Sequence, residues 1–251
     1  MHTYPEYIDV IQTVHPRKIG ILGGTFNPVH YGHLLLAEHA RDQFALDQIL
    51  WVPTAQPPYK STALLPFADR WEMVQRAIAD HPHFRAADLD YHPTLPSYAS
   101  DTFAALNRQF PHTDWYWIIG LDAFQTLTKW RNANDMVAYC TWLVAPRPAL
   151  RDAVDAPTAI ASALPDVTQI GRAIAATFLR QSIVLRWHGI TLPTIALSSS
   201  LIRDYCRTGR SLRYLVPESV RLYIHTNNLY QSSPPTAETP HSSAPNLPKS
   251  G

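Results

Sequence analysis

Gly23-Gly24-Thr25-Phe26-Asn27-Pro28-Val29-His30-Tyr31-Gly32-His33 lies between a short apolar run, Lys18 to Leu22, and an amphipathic stretch from Gly32 to Phe44. The order is strand, turn, helix. Two glycines let a backbone approach a polyanion, and a helix that opens directly afterwards offers unpaired N–H groups and the positive end of its dipole. His30 and His33 add two directed donors at that helix start. An imidazole can share charge growing on a phosphoryl oxygen and still release product, because its proton affinity ordinarily lies near neutral pH. The stretch therefore reads as a phosphate cradle and the centre of a nucleotide-handling site.

Other readings of the same residues are weaker. His30 and His33 with His39 form a conceivable zinc set, but helical zinc motifs space their histidines four apart, and no carboxylate or cysteine completes this one. Gly-x-Gly-x-x-Gly is absent, and no Gly-Lys-Ser/Thr follows the turn, so the motif is neither the dinucleotide fingerprint nor a P-loop.

Outward from the motif, strands are expected at Lys18 to Leu22, Gln48 to Val52, Trp115 to Ile119, Cys140 to Ala145 and Ser182 to Trp187. Helices are expected at Gly32 to Phe44, Ala68 to Ala79 and Val167 to Leu179. Strand and helix alternate from Lys18 to about Asn228, which predicts an α/β fold: a Rossmann-like, doubly wound, mostly parallel sheet with helices on both faces. Ligands of such sheets gather at the carboxyl ends of the strands, where this motif falls. Residues 1–17 read as an extension, 18–230 as one domain, and 147–181 as an insertion whose readings are a surface excursion, a flap or a subunit contact. The tail from residue 231 to 251 holds five prolines and five serines and is expected to be disordered.

The 251 residues carry a net charge of +1, with 16% charged and 46% apolar, and contain no apolar run of membrane-spanning length. A broad basic surface for nucleic acid and a membrane segment are therefore not expected, and the anionic partners should be small and locally bound. The start lacks the pattern of a signal peptide, and with only Cys140 and Cys206 a reducing cytoplasm is the expected setting. Cys206 lies between Arg203 and Arg207, which would lower its pKa, although most lone cysteines are packing residues. Homo-oligomerisation stays open.

The run from Gly24 to His33 resembles the Gly-x-Phe-x-Pro-x-His-x-Gly-His signature of the HxGH nucleotidyltransferase superfamily at every fixed position. Far downstream, Leu197-Ser198-Ser199-Ser200-Leu201-Ile202-Arg203 resembles that superfamily's Ile-Ser-Ser-Thr-x-Ile-Arg. Serines at a helix start are capping residues in their own right, and an arginine one turn later suits phosphate; both roles together are the expectation. The resemblance implies that Gly23, Gly24, Thr25, Phe26, Ser198, Ser199 and Ser200 contact ATP, and that His30, His33 and Arg203 serve the transfer.

Further segments make the chain similar to the nicotinate-nucleotide adenylyltransferase family from Lys18 to Tyr230. Pro57-Pro58-Tyr59-Lys60 resembles the family's Pro-Pro-His-Lys, with Lys60 on phosphate and Tyr59 in place of the histidine. Arg70 and Met73 match Arg-x-x-Met; an arginine there braces the site or simply faces water. Ser97-Tyr98-Ala99 resembles the Ser-Tyr-Thr that presents main-chain groups to the nicotinate ring, implicating Tyr98 and Ala99, while Ser97 alone reads as a helix cap. Gly120 and Asp122 match a strand-end Ile-Gly-x-Asp near the adenylyl ribose, with a helix cap as the other reading of Asp122. Trp130 matches a tryptophan that stacks on the pyridine ring, and Arg147 an arginine near the mononucleotide phosphate. The resemblance implies adenylyl transfer from ATP to nicotinate mononucleotide, with Mg²⁺ carried on the ATP phosphates and no protein-held metal. A pantetheine-phosphate adenylyltransferase on the same scaffold, or a nucleotide sensor without turnover, are the competing readings.

Overall fold

The computed structural model describes residues 17–58, 64–89, 96–146, 156–193 and 195–231, with 156–166 as backbone only. In chain order the elements are β1 (Arg17–Gly24), α1 (Tyr31–Phe44), β2 (Gln48–Pro53), α2 (Phe67–Ile78), β3 (Phe84–Ala86), α3 (Ala99–Gln109) and β4 (Thr113–Gly120). They continue as α4 (Leu121–Phe124), a single 3₁₀ turn (Leu127–Lys129), α5 (Ala133–Tyr139), β5 (Cys140–Ala145), α6 (Ala156–Leu179), β6 (Arg186–Gly189), α7 (Ser199–Arg207) and α8 (Glu218–Thr226). The strands form one sheet in the order β3-β2-β1-β4-β5-β6, and every neighbouring pair is parallel. The fold is the expected doubly wound α/β architecture.

Strand residues alternate between two cores, as the period of two requires. Ile19 and Ile21, Leu50 and Val52, Trp115, Trp117 and Ile119, and Trp142 and Val144 face one side; Leu22, Ile49, Trp51, Ile118 and Leu143 face the other. The first side is covered by α3, α5 and α6 through Phe103, Leu106, Met136, Val137, Ile174 and Phe178. The second is covered by α1, α2, α7 and α8 through Ala37, Ala40, Met73, Val74, Ile202, Val220 and Ile224. Each of the larger aliphatic side chains and phenylalanines, taken out of water, contributes about 1.5–3 kcal/mol, which is why near-continuous apolar strands end up sandwiched between helices.

Three boundaries differ from expectation. β3, a three-residue edge strand, carries too little apolar pattern to be seen in sequence. β6 begins at Arg186 rather than Ser182, because Ser182 sits at φ 62° in the turn that ends α6. α6 starts at Ala156, eleven residues before the expected Val167. Calls on residues 1–16 and 232–251 lie outside the described residues. Among the described residues no helix is long and apolar enough to cross a membrane.

Candidate active site

β1 is flanked by β2 on one side and β4 on the other, so the sheet's order reverses at its carboxyl end and leaves a crevice there. A Cβ on Gly23 would meet only Trp117, at 3.9 Å, and one on Gly120 would meet nothing within 4 Å. Those two glycines therefore border open space at the strand ends. Gly24 differs, since a Cβ there would lie 3.1 Å from the Phe26 ring. Phe26, at φ 45° and 1% exposed, turns its ring inward against His33 and Trp51, with centroids 5.1 and 5.4 Å away. Its side chain is core, and what it offers a ligand is backbone.

His30 is the N-cap residue of α1, and its N–H donates to Nδ1 of His33 at 3.2 Å. That bond fixes the tautomer of neutral His33: the proton sits on Nε2. The two rings stack, 3.7 Å between centroids and 25° between planes. Burial pulls the pKa of His30 down to about 4, so its proton affinity is not the near-neutral one anticipated from sequence. Nδ1 of His30 is buried, with no hydrogen-bond partner among the described residues. A Cβ at Gly32 would stand 3.0 Å from that ring, which gives a steric reason for glycine inside the His-x-Gly-His run. No acidic residue occupies the first turn of α1 or of α7, so both helix N-termini present unopposed positive ends.

The late serine motif meets the early glycine turn. Ser198 caps α7, its Oγ accepting from the Leu201 N–H at 3.2 Å. Ser199 Oγ donates to the Pro28 carbonyl at 2.8 Å, and Arg203 Nη1 donates to the Asn27 carbonyl at 2.9 Å, across 171 and 176 residues of chain. Ser200 Oγ accepts from Arg203 Nη2 at 3.1 Å. The three serines thus divide into a cap, a tie and a support for the guanidinium.

Arg70 takes the first of its two readings, bracing the site rather than facing water. It is 1% exposed, and its guanidinium donates to four carbonyls: Leu65, Thr25, Thr54 and Ala55, at 3.0, 2.8, 2.7 and 3.0 Å. It ties the glycine turn to the loop after β2. The available signal was its spacing, because Arg70 precedes Met73 and Val74 by three and four residues and so shares their buried face.

On the other flank, Tyr98 is the N-cap residue of α3, and Arg131 lies over its ring at 4.6 Å while donating to Asp101 at 3.2 Å. Arg131 follows Trp130, so the segments bearing Tyr98, Ala99 and Trp130 are joined. Trp130 Nε1 donates to Thr126 Oγ1 at 3.0 Å, and its ring meets Trp142 edge-on. Ser97 is no helix cap: its Oγ accepts from the Gln56 N–H at 3.2 Å and its N–H donates to the Gln56 carbonyl at 2.9 Å. Asp122 is no cap either, since Gly120 holds the N-cap position of α4 and Asp122 follows in its first turn. Burial raises the pKa of Cys206, against the lowering expected from its arginine neighbours. Lys60, with Tyr59, and Arg147 lie outside the described residues.

A cavity of about 150 Å³ opens beside the two histidines. Its remaining walls are Gly32, Leu35 and Leu36 of α1, Ala145 and Pro146 at the end of β5, and Leu192, Pro193, Ile195 and Leu197 before α7. Leu192, Pro193 and Ile195, in the loop that follows Thr191, are not singled out by any sequence motif, whereas Leu197 opens the serine motif. The Gln43 side chain anchors that loop, accepting from the Thr191 N–H at 2.9 Å and donating to the Thr191 carbonyl. Among the described residues, no group of three or more His, Cys, Asp or Glu is placed to hold a metal ion.

A phosphate cradle at the switch point of a parallel sheet, closed by a distant serine helix, defines a nucleotidyltransferase of Rossmann-like fold. In agreement, the cytidylyltransferase-like family profile matches residues 21–205. A relative from Synechococcus sp. (strain JA-3-3Ab) is 44% identical over 215 residues, 85% of this chain and 95% of that protein. One from Trichormus variabilis is 40% identical over 214 residues, covering 85% and 97%. Both carry the name "Probable nicotinate-nucleotide adenylyltransferase". The solved structure of Plasmodium falciparum nicotinic acid mononucleotide adenylyltransferase complexed with NaAD has the same fold, with a TM-score of 0.64 at 17% identity over 85% of this chain and 97% of that one. This chain belongs to the nicotinate-nucleotide adenylyltransferase family.

Proposed function

We propose that the protein transfers the adenylyl group of ATP to nicotinate mononucleotide, giving nicotinate adenine dinucleotide and pyrophosphate in NAD biosynthesis. One observation carries this: Ser199 and Arg203 hold the carbonyls of Pro28 and Asn27 immediately before the stacked histidine pair, so both motifs form one anion site. A phosphate oxygen of the mononucleotide attacks the α-phosphorus of ATP in line, and the bond to the bridging oxygen of the β-phosphate breaks. The nucleophile is already an anion, so no general base is required, and the protein's work is positioning and charge stabilisation.

In this reading the Nε2–H of His33 and the imidazole of His30 hold the α-phosphate region, while Arg203 and Lys60 neutralise the departing phosphates. The open strand end at Gly23, with the backbone of Gly24, Thr25 and Phe26, admits the triphosphate, and Ser198, Ser199 and Ser200 support it from α7. Gly120 and Asp122 take the ribose. The pyridine ring is assigned to the backbone of Tyr98 and Ala99 and to Trp130, and the mononucleotide phosphate to Arg147. The apolar walls of Leu192, Pro193, Ile195 and Leu197 suit a flat base next to the histidines. Mg²⁺ would arrive with the ATP phosphates and, bound there, would neutralise part of their charge. A reducing, cytoplasmic setting suits the free thiols of Cys140 and Cys206.

The test supplies ATP with nicotinate mononucleotide or its amide analogue and measures dinucleotide and pyrophosphate together. One-to-one formation of both, faster with the acid and absent without a mononucleotide, is the expected result. ATP binding with no pyrophosphate release would instead identify a sensor.

A further inference from the structure

Beyond α8 the backbone turns back on itself, with Asn228 at φ 49° and Tyr230 at φ 62°. A left-handed backbone is disfavoured for a bulky residue and persists only where its surroundings over-determine it. The surroundings here are the phosphate cradle. Tyr230 Oη donates to Asn27 Oδ1 at 2.8 Å, across 203 residues of sequence. Burial raises the pKa of this phenol, so it keeps the proton it donates, even with Arg203 and Arg70 close by.

Asn27 is the junction of four chain segments. It is 2% exposed, and the same Oδ1 also accepts from the Leu65 N–H at 3.4 Å. Its carbonyl accepts from Arg203. His30 follows three residues later, with only Pro28 and Val29 between them. The Leu65 contact is long, so the phenol is the stronger of the two donors to the buried oxygen. Without it a buried acceptor is left poorly satisfied, and the segment leading into the histidine pair loses one of its fixed points, keeping the carbonyl ties to Ser199 and Arg203.

We propose that Tyr230 is a positioning residue of the adenylyl-transfer site, its hydroxyl fixing the Asn27 side chain and with it the backbone that aims His30 and His33. The inference rests on the function proposed above. A small misplacement of donors weakens the transition state more than substrate binding, so the effect belongs in kcat.

The test compares Tyr230→Phe with Tyr223→Phe in the full chain. Tyr223 gives a matched control, since its hydroxyl donates to Asp69 Oδ1 at 2.9 Å, between α8 and α2. Tyr230→Phe should lower kcat about tenfold with both KM values within about twofold, while Tyr223→Phe keeps the parent kcat. In an Asn27→Ala background, Tyr230→Phe should cost nothing further, because the hydroxyl acts through that side chain. The imidazole nitrogen resonances of His33 should move in Tyr230→Phe and stay in Tyr223→Phe. A kcat within twofold of the parent with unmoved His33 resonances overturns the proposal, whatever happens to the melting temperature, and so does full additivity with Asn27→Ala. A parent protein that forms no dinucleotide overturns the proposed function instead, and the His33 resonances then decide the coupling alone.

Discussion

His30 and His33 are chemically identical, and burial makes them unequal. With a folded-state pKa of about 4 against 6.5 unfolded, His30 favours a neutral ring, so the unfolded chain binds more protons between these values. Its contribution to stability is therefore complete above pH 6.5 and is lost as pH falls through 4, a difference of ~3 kcal/mol. Denaturant unfolding between pH 7 and 4 should show this loss, and His30→Asn should flatten that part of the profile. Gly32 separates stability from activity at the same place. Alanine is favoured over glycine inside a helix by up to about 1 kcal/mol, yet a Cβ would press on the His30 ring at 3.0 Å. Gly32→Ala should therefore leave the free energy of unfolding within about 1 kcal/mol of the parent and lower kcat by about tenfold or more, measured side by side. The glycine and both histidines could be picked out from the sequence by type and spacing; the reason for the glycine, a neighbouring imidazole, could not.

At the scale of elements, α2 matters to the site through Arg70, whose five-donor fork reaches carbonyls of the glycine turn and the loop after β2. A lysine keeps the charge but not the fork. Arg70→Lys should therefore cost about 2 kcal/mol in denaturant unfolding, by leaving buried carbonyls without donors, and should reduce kcat as well. A stable, fully active variant would remove Arg70 from any role in shaping the loops. α7 shows the complementary lesson. Its serines and arginine stand out in sequence as a helix start with a phosphate-suited side chain, yet Ser199 and Arg203 spend hydrogen bonds on Pro28 and Asn27, partners that no local pattern names. The same holds for Ser97, whose cap-like position yields to a pairing with Gln56.

Across the whole molecule, the two faces of the sheet carry different duties. Elements α1, α2 and α7 bring the histidines, Arg70 and Arg203 to the anion site, whereas α6 packs on β6, where a Cβ on Gly171 would meet Trp187 at 2.5 Å. Gly171→Ala should lower stability by about 1–3 kcal/mol through overpacking while kcat at permissive temperature stays near the parent value. Loss of activity without loss of stability would show that the α6–β6 end of this face communicates with the site. Sequence by itself determined the α/β class, the strand–turn–helix cradle and the second motif, because strand and helix periods, glycine turns and helix starts are local properties of the chain. Tertiary structure alone decided that Arg70 is buried, that His30 favours the neutral form and that Asn27 gathers Leu65, Arg203 and Tyr230, because burial and long-range hydrogen bonds depend on which distant segments the sheet brings together.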